Sequence, residues 1–72
     1  MKEIEINIEP VELYKILKFE NLAASGGEAK HIIAEGHVSV NGEPEYRKRR
    51  KIFSGDVIKL EGEEFMAKLK AT

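Results

Sequence analysis

The fold of this chain is decided by two neighbouring segments, Ser25–Lys30 (SGGEAK) and Glu35–Gly42 (EGHVSVNG). A serine followed three positions later by a glutamate is a capping-box pattern, which satisfies free N–H groups at the start of a helix. Gly36 supplies the left-handed residue that ends many helices. The alternating valines then indicate a strand, and Asn-Gly is a strong signal for a two-residue hairpin turn. We therefore predict a capped helix that leads directly into a hairpin.

The elements on either side of these segments follow from hydrophobic spacing. Ile4, Ile6 and Ile8 alternate with polar residues, which predicts a half-buried N-terminal strand. Pro10 suits the first turn of a helix, which apolar residues at helical spacing extend to about Phe19. Near the C-terminus we predict a second hairpin with strands 57–60 and 65–69 around Glu61-Gly62-Glu63.

These elements together predict one α+β domain over residues 1–72. An N-terminal strand joins the edge of a small antiparallel sheet, and two packed helices cover one face of that sheet. The predicted core is apolar and combines residues from both layers: Ile16, Leu17, Ile32, Ile33, Val38, Val40, Ile58 and Phe65.

The composition limits the class of protein. With 42% hydrophobic and 35% charged residues, the chain fits a globular protein rather than a disordered one. No apolar run approaches the ~18 residues that a membrane span needs, and the N-terminus lacks the apolar region of a signal peptide. The absence of cysteine excludes disulfides and thiolate chemistry. We expect a cytoplasmic protein that does not interact with membranes.

The charge is unevenly distributed. Thirteen acids nearly balance twelve bases, but five bases are contiguous in the basic run Arg47-Lys48-Arg49-Arg50-Lys51. Without this run, seven bases remain against thirteen acids, which is a net charge of −6. An acidic body with one basic segment orients a protein on a polyanion because the rest of its surface is repelled.

The residues that flank the basic run indicate that it is a functional surface rather than an ordinary solvated loop. The Asn-Gly hairpin and the apolar pair Ile52-Phe53 flank it, so we expect both ends to be fixed. Three of its five residues are arginines, which bind phosphate oxygens in a fork-like geometry. Charge alone does not separate RNA from DNA. If the run is extended, Arg47, Arg49 and Lys51 face one side and Lys48 and Arg50 face the other.

Other polar residues give weaker signals. His31 and His37 have no metal-type spacing, and Ser25 and Ser54 are explained as a helix cap and a turn residue. We therefore predict no catalytic residue, no metal site, no cofactor and no small-molecule substrate. Gly26-Gly27 lowers helix propensity. Close approach of a ligand to the helix N-terminus explains that pair, and so does tight packing of the two helices.

An ordered set of short motifs resembles the S-four-type RNA-binding domain, also called the αL motif, and most closely its stand-alone YaaA/YbcJ-like group. The set consists of Ser25, Ala29-Lys30, the Gly36–Gly42 segment and Gly55-Asp56-Val57-Ile58. The resemblance covers about Leu13 to Leu60.

The resemblance implies binding to structured RNA, usually ribosomal or transfer RNA. It points to the second helix, the turn before it and the hairpin region. Two bases that are common in the family are replaced here by Gly26 and Glu12. With the two glycines of the first helical turn included, the predicted RNA-binding residues are Ser25, Gly26, Gly27, Lys30, His37, Arg47, Lys48, Arg49, Arg50 and Lys51.

The function predicted from the sequence is therefore non-catalytic binding of structured RNA, with ribosomal RNA favoured, by a monomer. A protein-interaction adaptor is the alternative from a different class. Such an adaptor would dock the basic run on an acidic surface of its partner.

Overall fold

The computed structural model describes residues 1–70, in which two helices and seven strands follow one another. In chain order the elements are β1 (Lys2–Ile6), β2 (Val11–Glu12), α1 (Leu13–Phe19), α2 (Gly26–Ala34), β3 (Val38–Val40), β4 (Glu43–Pro44), β5 (Lys51–Ile52), β6 (Val57–Leu60) and β7 (Glu63–Leu69). Neither helix of this described part is long and apolar enough to cross a membrane.

Five strands form the main sheet, in the order β1-β7-β6-β3-β4. The predicted α+β fold is confirmed, as is the attachment of the N-terminal strand to the sheet edge. That attachment is parallel, with Ile4 opposite Ala67, whereas the other pairs in the sheet are antiparallel. The sheet is therefore mixed. A separate two-stranded sheet joins β2 to β5.

The start of α1 differs from the prediction. The predicted N-terminal strand extends to Ile8, but β1 ends at Ile6 and Ile8 is 68% exposed. Pro10 lies before β2, so the helix begins only at Leu13. Its first two N–H groups, from Leu13 and Tyr14, donate to the carbonyls of Arg50 and Lys48 at 2.9 and 3.1 Å. Free donors at a helix start need acceptors, and here the basic run supplies them.

The second helix begins and ends as the local sequence predicts. Ser25 Oγ accepts a hydrogen bond from the Glu28 amide at 3.1 Å. At the other end Gly36 has a φ of +83°, a value that L side chains rarely adopt. Its amide donates to Ile33, and the next amide, of His37, donates to Ile32. This pair of bonds is a Schellman motif, which satisfies carbonyls at the helix end.

Both hairpins close through two-residue turns. Asn41-Gly42 and Glu61-Gly62 have positive φ at both positions, as turns that match strand twist require. The second turn is one residue shorter than predicted, because Glu63 already belongs to β7. Asn41 also ties its turn to β6: its Oδ1 accepts from the Val57 amide at 2.9 Å.

The core lies between the two helices and one face of the main sheet. Of the predicted core residues, Ile32 is only half-buried at its edge, and the others are buried. Further buried side chains come from every layer: Ile4, Ile6, Leu13, Ala23, Ala29, Ile52, Leu60 and Ala67. Ile52 is completely buried, so β5 fixes the C-terminal end of the basic run to the core.

Replacing Asn41 tests how much the side chain contributes to the hairpin. Asn41→Ala removes the side-chain hydrogen bonds to Val57 and Asp56. It also places alanine, which has a Cβ but no polar side-chain group to compensate, at a φ of 52°. We expect a loss of about 1–2 kcal/mol of unfolding free energy, measured by thermal or urea denaturation.

Asn41→Gly is the matched control, because it loses the same bonds without the backbone strain. We expect it to be destabilised less than the alanine variant. A glycine variant as stable as the wild type would show that the side-chain bonds contribute nothing.

Candidate nucleic-acid interface

The basic run folds as a turn and not as a strand. The Arg50 amide donates to the Arg47 carbonyl at 3.3 Å, and Lys48 and Arg49 lie at the turn. Only Lys51 continues into a strand, β5. The predicted alternation of side chains along an extended run is therefore wrong. The physical reason is that α1 draws two carbonyls of the run toward its own N-terminus.

A buried carboxylate holds the turn together. Glu45 is 6% exposed, and it accepts from the amide and Nε of Arg47 at 2.9 and 3.0 Å. Arg47 Nη2 and Arg50 Nη1 donate to the other carboxylate oxygen at 3.2 and 2.6 Å. The Glu45 amide donates to Val38, which fixes the residue to the edge of β3. One carboxylate thus joins the two arginines to the sheet.

These contacts change the ionisation of Glu45. Hydrogen bonds from the Arg47 side chain lower the pKa of this carboxyl from 4.5 to about 2, against the opposing effect of burial. In turn, the carboxylate raises the pKa of Arg47. Glu45 is not among the site residues predicted from the sequence. A single carboxylate two positions before five cations is the signal that points to it, since a tight cationic turn needs a counter-charge.

Tyr14, which is also not among the predicted site residues, connects the turn to α2. Lys30 Nζ lies 4.7 Å from the centre of the Tyr14 ring, and Arg49 Cζ lies 5.8 Å from it. Both distances are within the range of cation–π attraction. A methyl group added at Gly26 would lie 3.8 Å from the same ring. Tyr14 therefore brings together the first turns of α2 and the basic run.

The cations differ in how far internal carboxylates neutralise them. Glu12 lies 3.6 Å from Arg49, as well as 3.3 Å from Lys15. Of the ion pairs formed within residues 1–70, none involves Lys48, Lys51 or Lys30. These three ammonium groups carry charge that an external anion can neutralise.

The basic run borders an open hollow of about 800 Å3, which we call the basic hollow. Its lining consists of all five cations of the run together with Phe53 and Asp56. Arg50 is the most enclosed of the side chains held by Glu45, at 30% exposure, whereas Arg47 is 73% exposed.

The remaining predicted site residues lie at the two ends of α2. Ser25 caps its start, and a methyl group at Gly27 would meet only Ser25 Oγ, at 3.9 Å. His37 follows the other end, about 13 Å away along nine residues of helix, and its side chain is exposed. The structure thus brings Gly26 and Lys30 to the Tyr14 ring beside the basic run, with Ser25 next to Gly26. His37 lies at the opposite end of α2, next to Val38, whose carbonyl accepts from the Glu45 amide.

Other clusters of polar side chains are sparse in the described part. Residues 1–70 contain no group of three or more His, Cys, Asp or Glu side chains that could hold a metal ion. His31 lies 3.6 Å from Glu35 on the exposed face of α2.

Comparison with known proteins identifies the family. A family model described as the S4 domain matches residues 4–67. This chain belongs to the S4 domain family. The probable ribosome maturation protein RlbA of Bacillus subtilis is 42% identical over 59 residues, which are 82% of this chain and 83% of RlbA. The putative RNA-binding protein YbcJ of Escherichia coli is 48% identical over 52 residues, 72% of this chain and 74% of YbcJ.

Two solved structures have the same fold. The solution structure of E. coli YbcJ, described as revealing an αL motif involved in RNA binding, superposes with a TM-score of 0.71 at 39% identity. That match covers 94% of this chain and 87% of YbcJ. The 30S ribosomal protein S4e of Thermoplasma acidophilum gives 0.69 at 30% identity, over 83% of this chain and 32% of S4e.

Neutralising Glu45 tests its role as the anchor of the turn. Because its pKa is lowered on folding, its contribution to stability is complete above pH 4.5 and is lost as the pH falls toward about 2. We expect Glu45→Gln to lose about 1–3 kcal/mol of unfolding free energy at pH 7. The difference in unfolding free energy between this variant and the wild type should become smaller as the pH is lowered below 4.5.

The measurement is thermal unfolding followed by circular dichroism at a series of pH values. Glu43→Gln, two positions earlier and exposed on β4, is the matched control and should show no such pH-dependent difference. If the difference in thermal stability between Glu45→Gln and the wild type stays constant with pH, this result would contradict an ionised Glu45.

Proposed function

We propose that this S4-domain protein binds structured RNA, with ribosomal RNA as the favoured target, and that it acts in the cytoplasm as a monomer without catalysis. The observation that carries the proposal is the fixed array of cations beside the first turn of α2, joined through Tyr14. The relatives support it, because one is named a putative RNA-binding protein and another a probable ribosome maturation protein.

The array is ordered before any ligand arrives. Glu45 holds Arg47 and Arg50, two backbone bonds join the turn to α1, and β5 fixes its far end. A preorganised set of donors binds with less loss of side-chain freedom than a flexible tail does. The acidic remainder of the molecule repels a polyanion, so that binding is directed to this one surface.

The cations divide into three roles. Lys30, Lys48 and Lys51 provide point charges for phosphates. Arg47 and Arg49 are ion-paired, but their side chains are 73% and 68% exposed, so both can bridge from a carboxylate to a phosphate. Arg50 is the least exposed of the arginines and mainly shapes the turn.

In this proposal, Gly26 and Gly27 allow the ligand to come close to the start of α2. Neither position is crowded, since an added methyl would meet its nearest neighbours at 3.8 and 3.9 Å, which is ordinary van der Waals contact. Packing therefore does not demand glycine, although glycine lowers helix propensity. Close approach of a phosphate to the first N–H groups of α2 explains the pair, because the N-terminus of a helix attracts anions.

The assignment to ribosomal RNA depends on the comparisons. The S4e neighbour is a protein of the 30S ribosomal subunit, and the B. subtilis relative is named for ribosome maturation. The cations themselves would accept the phosphates of any folded RNA.

The salt dependence of binding tests the phosphate contacts. If four or five cations of the array each meet a phosphate, log Kobs should fall with log salt at a slope of about −3 to −4. Lys48→Ala and Lys51→Ala should each reduce the magnitude of this slope by about one, measured by fluorescence anisotropy with ribosomal RNA fragments.

Lys68→Ala is the matched control, since Lys68 is exposed near Glu3 on the face of the sheet that points away from the core. We expect it to leave both affinity and slope unchanged. A slope near zero would contradict the proposal. If the protein instead retains an acidic protein partner after ribonuclease treatment, the result would favour the adaptor function.

Gly27→Ala separates stability from binding. Because the position is uncrowded, alanine should raise the unfolding free energy by about 0.5–1 kcal/mol through helix propensity. The added methyl should at the same time weaken RNA binding if a phosphate contacts this turn. Paired thermal-denaturation and anisotropy measurements would check this, and unchanged RNA affinity would remove Gly27 from the interface.

A further inference from the structure

An aromatic residue, Phe53, lines the basic hollow together with the five cations. Phe53 is 48% exposed, whereas its neighbour Ile52 is completely buried. The core therefore uses Ile52 at this point of the chain and leaves the Phe53 ring to solvent. An exposed apolar ring does nothing for phosphates, which the surrounding cations already attract.

The backbone that carries this ring is fixed. The Phe53 amide donates to Asp56 Oδ2 at 2.8 Å, and its carbonyl accepts from the Asp56 amide at 3.0 Å. The next residue, Ser54, is held on both sides: its amide donates to Glu9 at 2.8 Å, and its Oγ accepts from the Leu69 amide at 3.2 Å. The ring is thus presented from a preorganised loop.

The lining of the hollow combines charges of both signs. The basic run attracts phosphate, whereas Asp56 places a carboxylate beside Phe53. Both Asp56 oxygens already accept hydrogen bonds, from Phe53 and from Asn41. The Asp56 carboxylate disfavours a phosphate beside Phe53, but it does not disfavour the uncharged face of a nucleobase. Aromatic side chains bind such faces by stacking, with little dependence on sequence.

We propose that Phe53 stacks on an unpaired base of the RNA while the basic run binds the phosphates next to that base. The target therefore presents a loop, bulge or single-stranded nucleotide at the basic hollow, because bases inside a duplex have no free face. This inference rests on the proposed binding of RNA.

The test compares two RNA probes: a hairpin with an unpaired, adenosine-rich loop and a blunt duplex of the same stem. We expect Phe53→Leu to weaken hairpin binding by about ten- to a hundredfold, since loss of one stacked base has an effect of this size. Duplex affinity and the salt slope should stay unchanged, because the phosphate contacts remain. Leucine keeps the residue apolar, so docking of a protein would tolerate the change.

Phe53→Trp gives an independent readout because the chain has no other tryptophan. We expect the hairpin to quench this fluorescence and the duplex to leave it unchanged. Phe19 is the matched control: it is 65% exposed on α1 and does not line the basic hollow. Phe19→Leu should not alter affinity, and Phe19→Trp should not be quenched.

The outcomes separate this inference from the proposed function. Salt-dependent RNA binding with an unaffected Phe53→Leu variant and an unquenched Phe53→Trp variant would overturn the stacking and leave RNA binding intact. Failure of the wild-type protein to bind either probe or a ribosomal RNA fragment would overturn both.

Discussion

The carboxylate of Glu45 allows five neighbouring cations to form a tight turn. Like charges at adjacent positions repel one another, and without a counter-charge the run would spread into solvent. Glu45 is buried against the edge of β3, and through Arg47 and Arg50 it closes the turn. Carbonyls of this turn accept hydrogen bonds from the first N–H groups of α1, and the chain then continues into β5. One ionised side chain therefore links the sheet, a helix start and the candidate interface.

Local signals predicted most of the fold. The capping serine, the glycine at the end of α2 and the Asn-Gly turn each act within a few residues, so their geometry can be read from sequence. The start of α1 could not be predicted in this way, because it depends on carbonyls more than thirty residues away. The pairing of Val11–Glu12 with Lys51–Ile52 is non-local for the same reason.

The candidate site shows the same division. The basic run is evident in the sequence as five adjacent cations, but its shape depends on long-range bonds. Tyr14 looks like an ordinary residue of an amphipathic helix until folding brings Lys30 and Arg49 to its ring. Phe53 resembles a core residue in sequence. Only the burial of Ile52 beside it reveals which of the two side chains faces solvent.

The parallel pairing of β1 with β7 has a consequence for synthesis of the protein. Ile4 lies opposite Ala67, so this contact spans nearly the whole described chain. On the ribosome, the N-terminal strand emerges long before its partner exists, and its edge stays unpaired in the meantime. Loop closure over such a distance is slow compared with local helix and hairpin formation. The helices and the β3–β4 hairpin can therefore assemble during translation, whereas the β6–β7 hairpin and completion of the sheet must wait for β7.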